Sequence, residues 1–208
     1  MKEVTKIEVQ KNNPKRFNLY LDGEFFIGIG EQTLIDFKFF ENKNLTEEDI
    51  LSLKAREDFN YNFNRALNYL NRSMRTETEL RRYMKRKEID DALLDSICEK
   101  LKDVKMLDDK LYASLFIEEK QSANRYGKKK IEYMLRQKGV DSEIIYEALK
   151  DLDSDLDYEN CLELAKKRME RMTEEDSFKK KNKLYNYLLG RGFSYDIIKD
   201  VLGELELG

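Results

Sequence analysis

The 208-residue sequence contains no histidine, no tryptophan, one proline and two cysteines. Without histidine, imidazole general bases, Ser–His or Cys–His nucleophile pairs and histidine-based metal sites are excluded. Two cysteines cannot form a four-cysteine zinc site. Cys98 and Cys161 also lie too far apart in the sequence to indicate a disulfide framework. A reducing, cytoplasmic environment is the simplest interpretation.

Other features of enzymes, membrane proteins and secreted proteins are also missing. The sequence has no Walker loop, and Gly28-Ile29-Gly30 lacks the third glycine of a dinucleotide-binding turn. No apolar run approaches the ~20 residues that cross a bilayer. Met1-Lys2-Glu3-Val4 lacks the apolar core of a secretory signal. We therefore expect no catalytic residues, cofactor, metal or membrane contact, and a cytoplasmic protein that acts by binding.

Helix-forming and charged residues are abundant. Charged residues make up 39% of the chain and hydrophobic residues 40%, and nine glycines leave long stretches uninterrupted. The apolar fraction suffices for a core. The charged fraction is high for one compact globule and typical of an elongated helical array with much exposed surface.

Residues 4–29 alternate between apolar and polar positions, which predicts three short strands. The predicted inward-facing residues are Thr5, Ile7 and Val9, then Phe17, Leu19 and Leu21, then Phe25, Ile27 and Ile29. Asp22-Gly23 suits a two-residue hairpin turn, and Asn12-Asn13-Pro14 suits the preceding turn. We expect the first helices to cover the apolar face of this meander.

From Glu31 onward the apolar residues follow a helical period. Thr46 is a predicted N-cap with Asp49 at the third helical position, and Leu45 and Ile50 are placed as a hydrophobic staple. A long amphipathic helix is predicted over residues 46–72.

An internal repeat is the most informative feature. Segments 79–101, 130–152 and 183–205 align without gaps at offsets of 51 and 53 residues. Eight apolar columns coincide: Leu80/Ile131/Leu184, Met84/Leu135/Leu188, Ile89/Val140/Phe193, Leu93/Ile144/Ile197, Leu94/Ile145/Ile198, Ile97/Ala148/Val201, Cys98/Leu149/Leu202 and Leu101/Leu152/Leu205. Each segment predicts helix, tight turn, helix, with the turn at Glu88, Gly139 or Gly192. Glycine suits a left-handed residue there, and Glu88 departs from it.

A further helix precedes each pair, over about residues 46–72, 108–122 and 157–172. The predicted fold is therefore mostly α, with three tandem three-helix repeats in an elongated, curved array after a short N-terminal antiparallel β-meander. The predicted domains are residues 1–45 for the meander and a short helix, then 46–105, 106–154 and 155–208 for the repeats.

Charge follows the repeat. Residues 72–87 hold seven basic and two acidic residues, a net +5, and residues 88–103 hold two basic and six acidic, a net −4. The other repeats alternate likewise, with +6 and −6 over 120–138 and 139–157, and +5 and −3 over 166–191 and 192–208. The middle helix of each repeat is thus basic and the last helix acidic. Solvated helix faces explain this in one interpretation; in the other, one basic stripe along a concave surface binds a nucleic acid or nucleoprotein.

The second interpretation assigns a set of basic residues to the binding face: Arg72, Arg75, Arg81, Arg82, Lys85, Arg125, Lys128, Lys129, Lys130, Arg136, Lys179, Lys180 and Lys181. Two local alternatives remain open. Arg75 is spaced to pair with Glu79 one turn away. The basic residues around Gly127 could simply form a solvated helix start.

Other chemically suggestive residues have structural explanations. The pairs Asp90-Asp91 and Asp108-Asp109 stand at predicted helix starts, where carboxylates cap free N–H groups. Cys98 falls in an apolar column of the repeat, whereas Cys161 has no assigned role. The aromatic residues expected mainly in the core, with some exposed, are Tyr112, Phe116, Tyr133, Tyr146, Tyr185 and Tyr187.

These motifs, in this order and spacing, resemble the RecX family of regulators of the bacterial RecA recombinase. The matching residues are Tyr69-Leu70 with Arg72 and Arg75-Thr76-Glu77-Thr78-Glu79-Leu80, then Asp108-Asp109-Lys110-Leu111-Tyr112-Ala113, Phe116, Arg125, Gly127, Ile131, Leu135 and Lys138-Gly139-Val140. The opening Val4-Thr5-Lys6-Ile7-Glu8-Val9 and Tyr20-Leu21-Asp22-Gly23-Glu24 resembles the N-terminal extension of Gram-positive members. Glu88 replaces the usual turn glycine, and the third repeat matches loosely.

The resemblance implies a monomeric, non-enzymatic protein of DNA recombination, repair and the SOS response. Such a protein docks into the groove of the RecA–single-stranded DNA filament and alters its assembly, strand exchange and ATP hydrolysis. Two alternatives remain open: a direct DNA-binding protein that uses tandem helix pairs, and a scaffold for an unrelated acidic protein.

Overall fold

The computed structural model describes residues 1–123, 125–150, 152, 154–173 and 176–206. Its strands are β1 (Lys2–Gln10), β2 (Asn13–Leu21), β3 (Glu24–Gly30) and β4 (Asn44–Leu45). Its helices are α1 (Glu31–Asp36), α2 (Glu47–Leu70), α3 (Glu77–Lys85), α4 (Asp91–Asp103), α5 (Asp109–Ser122), α6 (Lys128–Gln137), α7 (Ser142–Lys150), α8 (Ser154–Met169), α9 (Ser177–Arg191) and α10 (Tyr195–Glu204). Within these ranges, no helix is long and apolar enough to cross a membrane.

The chain divides into two compact units. The first comprises Met1–Arg72 and Asp90–Lys100, and the second comprises Ser73–Ile89 and the described residues of Leu101–Gly208. The sheet, α1, α2 and most of α4 therefore belong to the first unit. Helices α3 and α5 to α10 belong to the second.

The N-terminal strands form an antiparallel sheet in the order β3-β2-β1-β4. Asp22 and Gly23 join β2 to β3 with positive φ angles of 51° and 87°, which confirms the predicted hairpin turn. The turn between β1 and β2 was predicted at Asn12-Asn13-Pro14. In the structure it lies at Lys11 and Asn12, and β2 already begins at Asn13. Strand β4 has only two residues, so it shows no alternation of apolar and polar residues from which it could be predicted.

One face of this sheet is buried under α1 and α2, as predicted. Val4, Leu19 and Ile29 from three strands are fully buried in a cluster that also contains Leu53 of α2. Leu34 of α1 packs against the same cluster. Burying this apolar surface stabilises the unit.

The predicted inward face of β1 is right at Ile7, which packs against the buried cluster, and wrong at Thr5 and Val9. Thr5 is exposed and Val9 is 51% exposed, whereas Val4 is buried. The register between β1 and β2 shifts between Val4 and Lys6, and such a bulge moves later side chains to the opposite face. On β3, Phe25 is also exposed, contrary to prediction.

Helix α2 is stabilised by a cap at its N-terminus and by polar contacts with the sheet and α1. Thr46 and Asp49 form the predicted reciprocal capping box. Further along α2, the buried Glu57 accepts hydrogen bonds from Thr33 Oγ1 at 2.8 Å and from the Gly30 amide at 3.2 Å, and pairs with Arg16 at 3.1 Å. A buried carboxylate with three partners keeps its charge satisfied.

The three repeats are confirmed. Four of the eight predicted columns are buried in every repeat: Leu80/Ile131/Leu184, Met84/Leu135/Leu188, Leu94/Ile145/Ile198 and Cys98/Leu149/Leu202. The second and third repeats each enclose a core cluster. Each repeat has its leading helix, namely α2, α5 and α8, although α8 begins at Ser154 rather than residue 157. The mostly α fold with a short N-terminal sheet is thus confirmed; elongation and curvature of the array stay predictions.

The turn inside each repeat is left-handed, as predicted. Residues Glu88, Gly139 and Gly192 have φ angles of 57°, 74° and 93°. A side chain in this region costs free energy that glycine does not. Glu88 therefore introduces local strain.

Replacing Glu88 with glycine should relieve that strain. We expect Glu88→Gly to raise the free energy of unfolding by about 1 kcal/mol. The matched control is Lys87→Gly, one residue earlier and outside the left-handed region, which should not stabilise the chain. Urea unfolding followed by circular dichroism measures both; equal destabilisation by the two changes would contradict the prediction.

Candidate nucleoprotein-binding surface

The basic helix of the first repeat is seated on the turn of the second. Thr76 Oγ1 donates a hydrogen bond to the Lys138 carbonyl oxygen at 2.7 Å, and Thr78 Oγ1 donates to that of Gly139 at 2.8 Å. A Cβ atom at Gly139 would lie 2.4 Å from Thr78 Cγ2. Glycine is therefore required here for close approach as well as for its φ angle.

The second and third repeats meet in the same way. The Gly127 amide donates to the Arg191 carbonyl oxygen at 3.0 Å, and the Lys129 amide donates to that of Gly192 at 3.1 Å. A Cβ atom at Gly127 would lie 2.6 Å from the Gly192 carbonyl, and one at Gly192 would lie 2.3 Å from the Lys130 nitrogen. Backbone meets backbone at this contact.

Helices α3, α6 and α9 therefore follow one another, the N-terminal end of each meeting the C-terminal turn of the next. Helix starts have free N–H groups and helix ends have free carbonyls, so the contacts satisfy both. The helix dipoles also meet with opposite partial charges. We call the three helices the basic row, because they are the basic middle helices of the repeats.

An acidic residue closes each contact in the row. Asp109 Oδ1 accepts a hydrogen bond from the Glu77 amide of α3 at 2.9 Å, and Asp157 accepts one from the Lys128 amide of α6. Asp108 caps its own helix, α5, as predicted, whereas its neighbour caps the helix of the preceding repeat. The other predicted cap, Asp90, accepts from the Leu93 amide.

Burial changes the acidity of these groups. Desolvation raises the pKa of Asp157 to about 6, although its hydrogen bond from Lys128 opposes this, and burial also raises the pKa of Asp109. Asp157 Oδ1 is buried without a hydrogen-bond partner among the described residues. Burial, and then the nearby Asp157, raises the pKa of Cys161 to about 12, so its thiol is a poor nucleophile.

The predicted basic residues of α3 come together. Arg81, Arg82, Lys85 and Arg86 line one open depression with Thr78. Within it, Arg81 pairs with Glu77 at 2.8 Å. Arg82 is exposed and makes no ion pair with a described residue.

Two further predicted residues of the first repeat, Arg72 and Arg75, precede α3 in the sequence. Arg75 Nη1 lies 3.9 Å from Glu79 Oε1, which confirms the local pairing alternative. Arg72 is exposed beyond the end of α2 and belongs to the first unit. Arg75 is not among the described residues that line the depression on α3.

The predicted residues of α6 divide into paired and exposed groups. Arg125 pairs with Glu163 at 2.7 Å, and Arg136 pairs with Glu132 at 2.9 Å. Lys128 and Lys129 are exposed at the start of the helix. Lys130 is half-buried, with its ammonium 5.6 Å from the centre of the Tyr133 ring.

Lys179, Lys180 and Lys181 occupy the first turns of α9, and the first of them lies 4.0 Å from Asp176. The structure thus groups Arg81, Arg82 and Lys85, and places residues 128–130 at a contact of the row. That all thirteen residues line one trough stays a prediction.

Sequence reasoning missed two basic residues that connect the repeats. Lys138 Nζ lies 2.6 Å from Glu79 Oε1, and the Arg191 guanidinium lies 5.3 Å and 5.4 Å from the ring centres of Tyr126 and Tyr187. Each directly precedes the turn glycine of its repeat. Lys138 and Arg191 occupy the same position in the alignment of the repeats, and this shared position could have identified them from the sequence.

The aromatic and acidic residues behave mainly as structural groups. Tyr112 is buried and stacks on Phe116 with ring centres 5.9 Å apart, as predicted. Tyr133 and Tyr146 are 55% and 66% exposed and are therefore exposed members of this set, some of which were expected at the surface. In the described part of the chain, no three Cys, Asp or Glu residues form a metal-binding group.

The fold and the basic row define a class of modular helical-repeat protein whose equivalent helices follow one another through the same kind of contact. Models of regulatory protein RecX match this chain domain by domain: the N-terminal domain over residues 2–46, and the first, second and third three-helix domains over 63–101, 108–149 and 155–202. The chain belongs to the RecX family of regulatory proteins.

Curated relatives agree over nearly the full length. Regulatory protein RecX of Clostridioides difficile is 34% identical, with 97% of this chain and 95% of that protein aligned. RecX of Clostridium botulinum strain Alaska E43 is 36% identical, with 98% and 96% aligned. RecX of Bacillus subtilis is 30% identical, with 98% of this chain and 77% of that protein aligned.

Solved structures show the same fold. A crystal structure of a regulatory protein RecX has a TM-score of 0.82 and 28% identity, with 96% of this chain and 100% of that chain covered. RecX from Lactobacillus salivarius has a TM-score of 0.69 and 33% identity, with 74% and 99% covered.

The contact between the second and third repeats should not tolerate a side chain. We expect Gly127→Ala to lower the free energy of unfolding by about 1–3 kcal/mol, because the new Cβ atom meets backbone that cannot move aside. Gly190→Ala is the matched control, since nothing lies within 4 Å of its Cβ position on α9. The control should be neutral or slightly stabilising. Thermal unfolding measures both; equal melting temperatures for the two variants would contradict the proposed contact.

The buried carboxylate of Asp157 should make stability depend on pH. Its pKa is about 6 in the folded chain against an ordinary 3.8, so the folded state holds a proton that the unfolded state has released between these values. This contribution lowers stability as pH rises from about 4 to about 6.

Asp157→Asn should remove that contribution while keeping an oxygen for the Lys128 amide. The stability of the variant relative to the parent should therefore increase across this pH range, by at most about 3 kcal/mol. Chemical unfolding at several pH values measures the difference. If the difference in unfolding free energy between the variant and the parent does not change with pH, the raised pKa of Asp157 is contradicted.

Proposed function

We propose that this chain regulates a RecA recombinase by binding in the groove of the RecA–single-stranded DNA filament. Binding changes filament assembly, strand exchange and ATP hydrolysis. The observation that carries the proposal is the basic row, in which α3, α6 and α9 follow one another within one compact unit. A filament repeats its phosphates and protein surfaces, and equivalent basic helices in series suit such a partner.

Among the basic residues, three are best placed to reach phosphates. Arg82, Lys128 and Lys129 are exposed and make no ion pair with a described residue. Arg125 and Arg136 are held by Glu163 and Glu132, so a phosphate would have to displace a carboxylate first. We therefore assign the first three residues to DNA contact, Arg125 to holding the second and third repeats together, and Arg136 to an ion pair within α6.

Weak contacts in series account for the expected affinity. Each exposed cation near a phosphate releases counterions from the nucleic acid and contributes a salt-sensitive increment. Once one repeat is bound, the next meets its site at a high effective concentration. The net charge of −3 for the whole chain opposes indiscriminate attachment to bare duplex DNA.

Filament binding and direct DNA binding can be separated experimentally. The purified chain is added to preformed RecA filaments on single-stranded DNA, and filament length and ATP turnover are followed together. Binding to bare single-stranded DNA is measured across the same salt range. The proposal requires a change in the filament at concentrations where bare DNA is not bound; tight recombinase-independent binding would favour the direct DNA-binding alternative.

Reversing one exposed charge in the row should weaken filament binding. We expect Arg82→Glu to reduce affinity by about tenfold, the effect of losing about 1.4 kcal/mol. The slope of log affinity against log salt should fall by roughly 0.7 for each lost phosphate contact on a single strand. Co-sedimentation with filaments at several salt concentrations measures both quantities.

Lys199→Glu is the matched control, because it makes the same charge change at an exposed position on the acidic helix α10. It should leave affinity nearly unchanged. Equal losses from the two variants would show that total charge, rather than the basic row, governs binding.

A further inference from the structure

A groove on the second repeat has the opposite electrostatic character to the basic row. It lies between α5 and α7 and has a volume of about 960 Å³. Ile117 of α5 and Ile144 and Ala148 of α7 line it together with Leu152. These side chains are buried or half-buried and belong to the edge of the second repeat's core. The groove is therefore apolar where the two helices meet.

The borders of the groove are acidic. Glu118 stands on the α5 side, and Asp141, Glu143 and Glu147 stand on the α7 side, all exposed. Among the described residues that line the groove, Lys110 is the one basic residue. The groove lies in the most acidic stretch of the repeats, since residues 139–157 have a net charge of −6. Phosphates would be repelled here, so a nucleic acid does not suit this surface.

We infer that this groove docks a basic amphipathic helix of a protein partner. An amphipathic helix places apolar side chains at i, i+3 or i+4, and i+7 along one face, which suits an apolar groove. Lysine or arginine on its flanks would meet the carboxylates on both borders, and complementary charge sets register and speeds association. None of the described residues that line the groove belongs to α3, α6 or α9, so the inference does not depend on the proposed function.

The groove is complete within the second repeat. Helices α5 and α7 pack directly against one another, with Ile117, Ile145 and Leu149 buried in one cluster. The Asp141 carboxylate is fixed at the start of α7 by a hydrogen bond from the Glu143 amide at 2.8 Å. A partner helix would thus meet a surface already in place, which lowers the entropic cost of binding.

The test uses the full chain and a synthetic helical peptide of about 14 residues, roughly the length of α5, with leucines on one face and lysines elsewhere. A second peptide carries glutamate in place of every lysine. Fluorescence anisotropy of the labelled peptides measures affinity at physiological salt. The lysine peptide should bind, and the glutamate peptide should not.

Two charge-reversed proteins then locate the site. Glu118→Lys with Glu147→Lys should weaken lysine-peptide binding by about tenfold and allow the glutamate peptide to bind. Glu99→Lys with Asp200→Lys makes the same charge change at exposed positions on α4 and α10, and should have little effect. All four positions are exposed, so both proteins should fold normally.

The contrary outcomes are distinct. Equal weakening by both proteins would show attraction by net charge alone, and no effect of either would show binding elsewhere; each overturns the inference. Analytical ultracentrifugation of the free chain tests whether a second copy of the chain occupies the groove. If the chain self-associates and Glu118→Lys with Glu147→Lys abolishes this, the occupant is another molecule of this chain and the inference of a partner helix is overturned. The Arg82→Glu variant separates the two proposals. If it loses filament regulation but still binds the peptide, the basic row and the groove act independently, as inferred.

Discussion

The close backbone contact between successive repeats is the constraint on which the second unit depends. At Gly127 and Gly192 two main chains come so close that no Cβ atom fits between them. The C-terminal turn of one helix supplies carbonyl groups to the unsatisfied N–H groups of another. The same arrangement at Thr78 and Gly139 uses hydroxyl groups. Each contact sets the position of a basic helix relative to its neighbour, and so determines where the cations of the row can be.

This constraint accounts for the pattern of charge as well as for the packing. A helix start surrounded by protein needs acceptors, and Asp109 and Asp157 supply them from the leading helix of the following repeat. The carboxylates are buried by the contacts they complete, which is why their pKa values are raised. Basic middle helices and acidic neighbours therefore stabilise the contacts between repeats, and the proposed function uses the same basic helices for recognition. Exposed Lys128 and Lys129 are available to a partner, whereas paired Arg125 is part of the framework.

The repeat, its helices and its left-handed turns were predictable because they follow from local chemistry. Apolar period, turn geometry at Gly139 and the Thr46 capping box each leave a short-range pattern in the sequence. The β1 bulge and the two-residue β4 leave none, so Thr5 and Val9 of β1 were assigned to the wrong face. The candidate site was predictable only in part: basic segments could be located, but which cations are neutralised depends on acids brought close by folding. Glu163, which holds Arg125, is 38 residues away in sequence.

The direction of the contacts has a consequence for how the chain is made. The starts of α3 and α6 are completed by residues that are synthesised later: Thr76 hydrogen-bonds to Lys138, 62 residues downstream, and Gly127 hydrogen-bonds to Arg191. During synthesis the first basic helix therefore waits for most of the second repeat, and the second waits for the third. The turn at Glu88, which follows α3, contacts no earlier middle helix, because α3 is the first of the three. The contact between α3 and α6 can therefore form once Lys138 and Gly139 have been made, before the contact between α6 and α9, so the row assembles in the order in which its repeats are synthesised.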